Sequence, residues 1–148
     1  MPSIIPGYVY SLFASLIVGA IIVSSCGLSI ASVKQHAEEQ QLSTIANYVA
    51  SESMQLISSN SNDNLISTVL LDLPSLIGGQ RYWIHLANDS SRAWVEIGFG
   101  AVIELTGRRA EIPADIFAYG FYVSGSGQIW LRTYCNDNGA HLTVEGDY

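Results

Sequence analysis

The first charged side chain in this sequence is Lys34. Before it, residues 8–33 are almost entirely Leu, Ile, Val, Ala, Ser, Gly and aromatics. About 20 such residues suffice to span a bilayer core of roughly 30 Å. A run this long and uncharged is costly to hide in a chain of 148 residues, so it predicts a single membrane-spanning helix rather than a buried core helix. A cleaved secretory signal fits less well. It expects a basic region followed by a short apolar stretch, and this apolar stretch is about twice the usual length of that region.

The charge pattern narrows the partners. Thirteen acids against six bases give a net charge of -7. The bases are scattered as Lys34, Arg81, Arg92, Arg108, Arg109 and Arg132. No basic stripe exists to meet phosphates, so nucleic acid is not an expected partner. An acidic exterior rich in Ser, Asn and Gly suits a solvated surface domain. Of the two cysteines, Cys26 lies in the apolar run and Cys135 near the other end. No disulfide between them is expected, and neither a CxxC nor a zinc spacing occurs.

Helical character is expected to continue past the apolar run. After Lys34 come Gln35, His36, Ala37, Glu38, Glu39, Gln40 and Gln41, all compatible with helix and free of Pro or Gly. Leu42, Ile45, Ala46, Val49, Ser53, Leu56 and Ile57 then recur at spacings of three and four, which makes one apolar face. The polar run from Ser58 to Asn64 breaks it. Residues 1–58 are therefore expected to form a membrane helix with an amphipathic extension, 59–66 a linker and 67–148 a β domain. In the membrane half, Ser11, Ser15 and Gly19 recur every four residues, a spacing that lets helices approach closely in lipid. In the amphipathic half, Leu42, Ile45, Val49 and Leu56 are candidates for packing, either onto the β domain of the same chain or against a neighbouring subunit.

Beyond residue 66 the sequence reads as strands. Residues 68–73, 81–87, 92–99, 101–105, 116–123, 128–135 and 141–144 are rich in aromatic and branched residues. Turn signals separate them: Gly78-Gly79, Asn88-Asp89-Ser90-Ser91, Gly107-Arg108-Arg109, Ser124-Gly125-Ser126-Gly127 and Asn136-Asp137-Asn138-Gly139. Such short, evenly spaced strands argue for a small antiparallel sandwich or open barrel. The fold class expected is thus α+β, a long N-terminal hydrophobic helix followed by that β domain.

Chemistry-bearing residues do not assemble into a recognised set. Asn136-Asp137-Asn138-Gly139 resembles a calcium-loop fragment, but Tyr134 occupies the position where the first Asp is required. Cys135 and His141 flank a hairpin and lack a third, orienting partner. Glu104, Glu111 and Asp115 are ordinary surface acids, His36, Glu38 and Glu39 read as a solvated helix face, and His85 is an ordinary strand residue. No catalytic, cofactor-binding or metal-ligating residue is expected. Two features point to interaction instead. Trp83, Trp94, Trp130 and Tyr134 are candidates for a partner surface. Asn88-Asp89-Ser90 is a glycosylation sequon on an expected turn, with Asn88 as acceptor.

The run from Gly7-Tyr8-Val9-Tyr10 to Val33, the amphipathic stretch that follows, and a β domain introduced by Leu73-Pro74-Ser75-Leu76-Ile77-Gly78-Gly79-Gln80-Arg81-Tyr82 resemble archaeal type IV pilin-like proteins. That group includes archaellins, pilins and the pilin-like stator subunits of the archaellum. The resemblance covers the chain in architecture rather than in tight motifs. It implies a helix that anchors the subunit or bundles with its neighbours. It also implies a β domain outside the cytoplasm that contacts envelope proteins or other subunits. Precursors of this group carry a basic residue before the cleavage point, whereas Ile4-Ile5-Pro6-Gly7 has none. The resemblance therefore leads to a permanently anchored, non-enzymatic structural, adhesive or accessory subunit of a cell-surface filament or envelope assembly. Lys34 alone would place the β domain inside; the sequon, the aromatic strands and the resemblance place it outside. A second reading starts from Val23-Ser24-Ser25-Cys26-Gly27, which matches a lipidated cysteine and would make the chain a lipoprotein-type binding module anchored through Cys26.

Overall fold

A computed structural model describes residues 4–59, 66–89, 91–100, 107–113, 115–125, 128–136 and 139–146. It divides into two compact units, Met1–Ala37 and Glu38–Tyr148. One helix, α1 (Ile4–Ser59), contributes to both.

In the first unit every described side chain from Gly7 to Ala37 is exposed. Tyr8, Phe13, Leu16, Ile21, Leu28 and Val33 are all more than half exposed. α1 contains a segment long and apolar enough to cross a membrane, with none of it buried. Its serines suit an apolar surround. Ser15 donates to the Ser11 carbonyl at 2.8 Å, Ser24 to Ala20 at 2.8 Å and Ser29 to Ser25 at 3.0 Å. Each hydroxyl proton is therefore satisfied within the helix, as hydrocarbon requires.

In the second unit the rest of α1 covers a seven-stranded sheet. The strands are β1 (Ser67–Leu71), β2 (Tyr82–Asn88), β3 (Ala93–Phe99), β4 (Arg108–Ile112), β5 (Phe117–Val123), β6 (Ile129–Asn136) and β7 (Gly139–Gly146). Their order is β1-β6-β7-β5-β2-β3-β4. The expected α+β class is thus found, with a sheet larger than the small one expected. All pairings are antiparallel except β5 with β7, which is parallel. Two chain reversals separate β5 from β7, so β7 returns in the direction of β5 and docks beside it while β6 turns outward to meet β1.

One face of the sheet and α1 form the core. Leu42, Ile45, Ala46, Val49, Ala50 and Leu56 pack with Leu71, Tyr82, Ile84, Leu86, Val95, Ile97, Ile112, Leu131, Leu142 and Val144. The apolar face read from residues 42–57 is therefore used inside this chain, since a sheet with one apolar face must bury it against another layer. The single buried hydroxyl on that helix face, Ser53, donates to the Val49 carbonyl at 2.7 Å, which removes the cost of an unpaired polar group.

Two sequence expectations need adjustment. Arg108 and Arg109, read as a turn, open strand β4, which pairs with β3 through Ile97↔Arg108, Glu96↔Arg109 and Val95↔Ala110. Ala110 and Ile112 are buried while their neighbours are exposed, so the strand satisfies period-two burial despite its charges. The strand expected at 101–105 lies outside the described residues. Gly78 and Gly79 do form the expected turn, both at positive φ, closed by reciprocal backbone bonds between Ile77 and Gln80. At Gly78 the space a Cβ would need is already filled by the Glu38 carboxyl.

Candidate functional site

Strand alternation sends the other side chains of the sheet to its outer face. On β2 these are Trp83, His85 and Ala87; on β3, Trp94, Glu96 and Gly98; on β4, Arg109 and Glu111. The register sets His85 opposite Glu96, Glu96 opposite Arg109, and Trp94 opposite Glu111. Glu96 becomes the hub of this end of the face. Its Oε1 accepts from Trp94 Nε1 at 2.9 Å and from Arg109 Nε at 2.8 Å, and its Oε2 lies 3.2 Å from His85 Nδ1. The Arg109 guanidinium in turn sits over the Trp94 ring, 5.2 Å from its centroid, within cation–π range. Burial works against the charge on Glu96, but hydrogen bonds from Trp94 and His85 and the charge of Arg109 outweigh it and hold the carboxyl below its usual range.

The other end of the face is aromatic. Phe117, His141 and Tyr134 are neighbours across β5, β7 and β6. His141 is stacked between the two rings, 5.0 Å from Phe117 and 4.9 Å from Tyr134. Tyr119 shares a 2.8 Å hydrogen bond with the Tyr134 hydroxyl, and His141 Nε2 lies 3.1 Å from Asn136 Oδ1. Phe117 is 48% and Tyr119 50% exposed. Large aromatic surface left open at this level is what contact surfaces display.

The residues singled out from sequence separate into three groups. Trp94, Trp130 and Tyr134 lie on the outer face, half-buried. Trp83 shares that face but is fully buried, so it offers no surface to a partner. Its indole lies across the backbone of Gly98 and Gly107, where an added Cβ would come within 2.7 and 2.5 Å of the ring. Leu42, Ile45, Val49 and Leu56 are core residues, as described above, whereas Ser11, Ser15 and Gly19 are exposed on the apolar half of α1. Asn88 is the exposed last residue of β2, and its side chain makes a 3.4 Å bond to the Asp89 carbonyl. The turn after it is pinned by Asp89, whose Oδ1 accepts from the Ser91 and Arg92 amides at 2.8 Å each.

Sequence reasoning missed Phe117, Tyr119, Glu96, Arg109 and His141 as parts of these clusters. Trp94 and Glu96 were available from their i, i+2 spacing, and His85 from the hairpin register. Cys135 and His141, weighed as a pair, do not face each other, because Cys135 pairs with Ala140 and His141 with Tyr134. Among the described residues no group of three or more His, Cys, Asp or Glu could hold a metal ion. No family model, curated protein or solved structure matches this chain.

Proposed function

We propose that this chain is a membrane-anchored, non-enzymatic surface protein. The apolar half of α1 spans the bilayer once. The β domain stands outside the cytoplasm and binds protein partners, either further copies or envelope proteins. On this reading it is a pilin-like structural, adhesive or accessory subunit of an archaeal surface assembly, and the Phe117–Tyr119–Tyr134 end of the outer face is its contact surface.

One observation carries the reading. The two halves of a single helix have opposite fates: residues 42–56 bury an apolar stripe against the sheet, while residues 7–33 carry no charge, are apolar on every side and are exposed throughout. A helix hydrophobic on every side is matched to lipid or to a bundle of its own kind. The exposed aromatic surface of the outer face, with Phe117 and Tyr119 about half exposed, fits contact with a partner.

Protease treatment of intact cells and of inverted vesicles, read by mass spectrometry of the protected fragment, tests the arrangement. The expected result is a carbonate-resistant membrane fragment from the N-terminal region and a β domain cleaved only from the outside. Release by carbonate, or a β domain protected on intact cells, sinks it. The same spectra locate the mature N-terminus. A start near Gly7 or Tyr8 means pilin-type processing, and a lipid on an N-terminal Cys26 replaces the anchor helix with a lipoprotein anchor.

A further inference from the structure

The sheet ends in two edge strands, β1 and β4, and their side chains differ. From that difference we infer that β1 is a self-association edge: two copies of this chain pair their β1 strands antiparallel and join two sheets into one. This deepens the reading above by naming a second copy as the partner, and it rests on that reading for the membrane that holds the copies together.

Both edge strands are five residues long, so length does not separate them. Each has a strand on one side only. Among the described residues, no backbone bond outside the strand ladders involves residues 68–71 or 108–112. An edge with open backbone groups is a template for a further strand, and charged side chains are a common guard against that. β4 carries the guard. Arg108, Arg109 and Glu111 place three charges in its five residues, and they pair with Glu39, Glu96 and Arg92 respectively. β1 carries none, since Ser67-Thr68-Val69-Leu70-Leu71 contains neither a charge nor a proline. Leu70 is 43% exposed on it, and Ile66, just before it, is 67% exposed. An open, apolar, unguarded edge is suited to take a strand by main-chain hydrogen bonds.

Symmetry and charge select a second copy as the occupant. Two β1 edges can meet antiparallel, about a two-fold axis perpendicular to the sheet, or parallel, about an axis along the strand. The perpendicular axis keeps outer face continuous with outer face and sets the two α1 layers on the same side. The axis along the strand turns one copy over and sets a helix-covered face beside an open one. The antiparallel pair is therefore the one that fits. Centred on Val69, it sets Thr68 of each copy opposite Leu70 of the other, and the two Leu70 side chains on a diagonal within reach of each other. Two chains of net charge -7 repel each other, and an uncharged edge brings the least charge into contact. The same register keeps the two Asp72 residues about 20 Å apart along the strands. A strand pair about 17 Å long is a small interface, weak between free molecules. Anchors in one membrane raise the effective concentration of copies and compensate for that. Association closes at two, because the far edge of each sheet is the charged β4.

The test counts copies. The full chain, with a fluorophore attached after Tyr148, is placed in phosphatidylcholine vesicles at graded dilution, and bleaching steps are counted. Pairs in excess of random co-occupancy are expected. Leu70→Lys and Thr68→Glu should each reduce them several-fold, because each sets like charges on the diagonal of the pair. Both positions are exposed, and Thr68 faces Arg132 of its own chain, so near-ultraviolet circular dichroism should stay unchanged. Mixing the two variants should restore pairs, since the introduced charges are then opposite in sign and face each other across the strands. Single copies at every dilution overturn the inference, even where a strand of another protein is found on β1. So do clusters larger than two, pairs that persist in both variants, or a mixture that restores nothing. Flotation of the vesicles reads the anchor separately. A chain that floats as single copies fails the inference and keeps the anchor, and one that does not float fails both.

Discussion

The two halves of α1 share one secondary structure and have opposite surroundings. Residues 7–37 are exposed throughout, whereas Leu42, Ala46, Val49 and Leu56 are at most 6% exposed. The difference is written in their patterns. The second half alternates polar and apolar residues at the helical period and so has one face to hide. The first half is apolar on all sides, and no single face of a small sheet could cover it. Burial in this chain follows the pattern of hydrophobicity around the helix rather than its amount, and the more hydrophobic half is the one left uncovered.

The largest expected effect breaks the comparison from its buried side. Val49 is fully buried at the centre of the stripe. Val49→Asp places an unpaired carboxylate in the core, for which a loss of about 4 kcal/mol or more is expected. That is a large share of a small domain's total stability. Urea unfolding of the β domain, followed by near-ultraviolet circular dichroism, should show the midpoint collapse. A midpoint within error of the parent would mean that the stripe is not what holds α1 to the sheet.

The exposed half predicts the reverse dissociation of effects. Ile22 is 57% exposed near the middle of the apolar run. Ile22→Arg should leave unfolding of the β domain unchanged and cost about 3 kcal/mol of membrane insertion. Carbonate extraction and flotation would read this as a shift of protein from the membrane to the soluble fraction. Unfolding of the β domain by Ile22→Arg would contradict the division between the two halves.

Much of this was legible before the structure, because hydrophobic period is a local property. Both halves of α1 and most of the strands follow from windows of ten to twenty residues. What was not legible is non-local. Arg108 and Arg109 beside Gly107 carry a local turn signal, and only pairing with β3 makes them a strand. The parallel contact of β5 with β7 depends on where a distant hairpin docks. The fate of Trp83 rested on two glycines remote in sequence. Glu96 gathers partners from β2, β3 and β4, of which only the Trp94 spacing and the hairpin register were open to sequence reading.

Trp83 provides a third, intermediate effect, on the side of the sheet away from α1. The helix stripe accounts for only one face of the sheet, so the buried indole on the other face should contribute stability independently of it. Gly98→Ala would set a Cβ 2.7 Å from that ring, and an overpacking loss of about 2 kcal/mol is expected. Combined with Val49→Ala, its effect should be additive, since sites without shared partners rarely couple. A marked departure from additivity, measured by urea unfolding of the parent, the two single variants and the double variant, would show that the two faces act as one unit.

The smallest effect concerns the polar rim of the helix–sheet contact. Arg108 Nη2 lies 2.7 Å from Glu39 Oε2, joining α1 to the edge strand β4. The geometry is good, but the side chains are 48% and 32% exposed, so water competes for both. Arg108→Ala should cost only about 0.5 kcal/mol, and the cost should shrink as salt screens the pair. A double-mutant cycle with Glu39→Gln isolates the interaction from the loss of the arginine stem. A coupling above 2 kcal/mol that persists in molar salt would show that ion pairing rivals the apolar stripe in holding the second half of α1. A small, screened coupling leaves the stripe as the reason that this half, and not the other, is covered by its own chain.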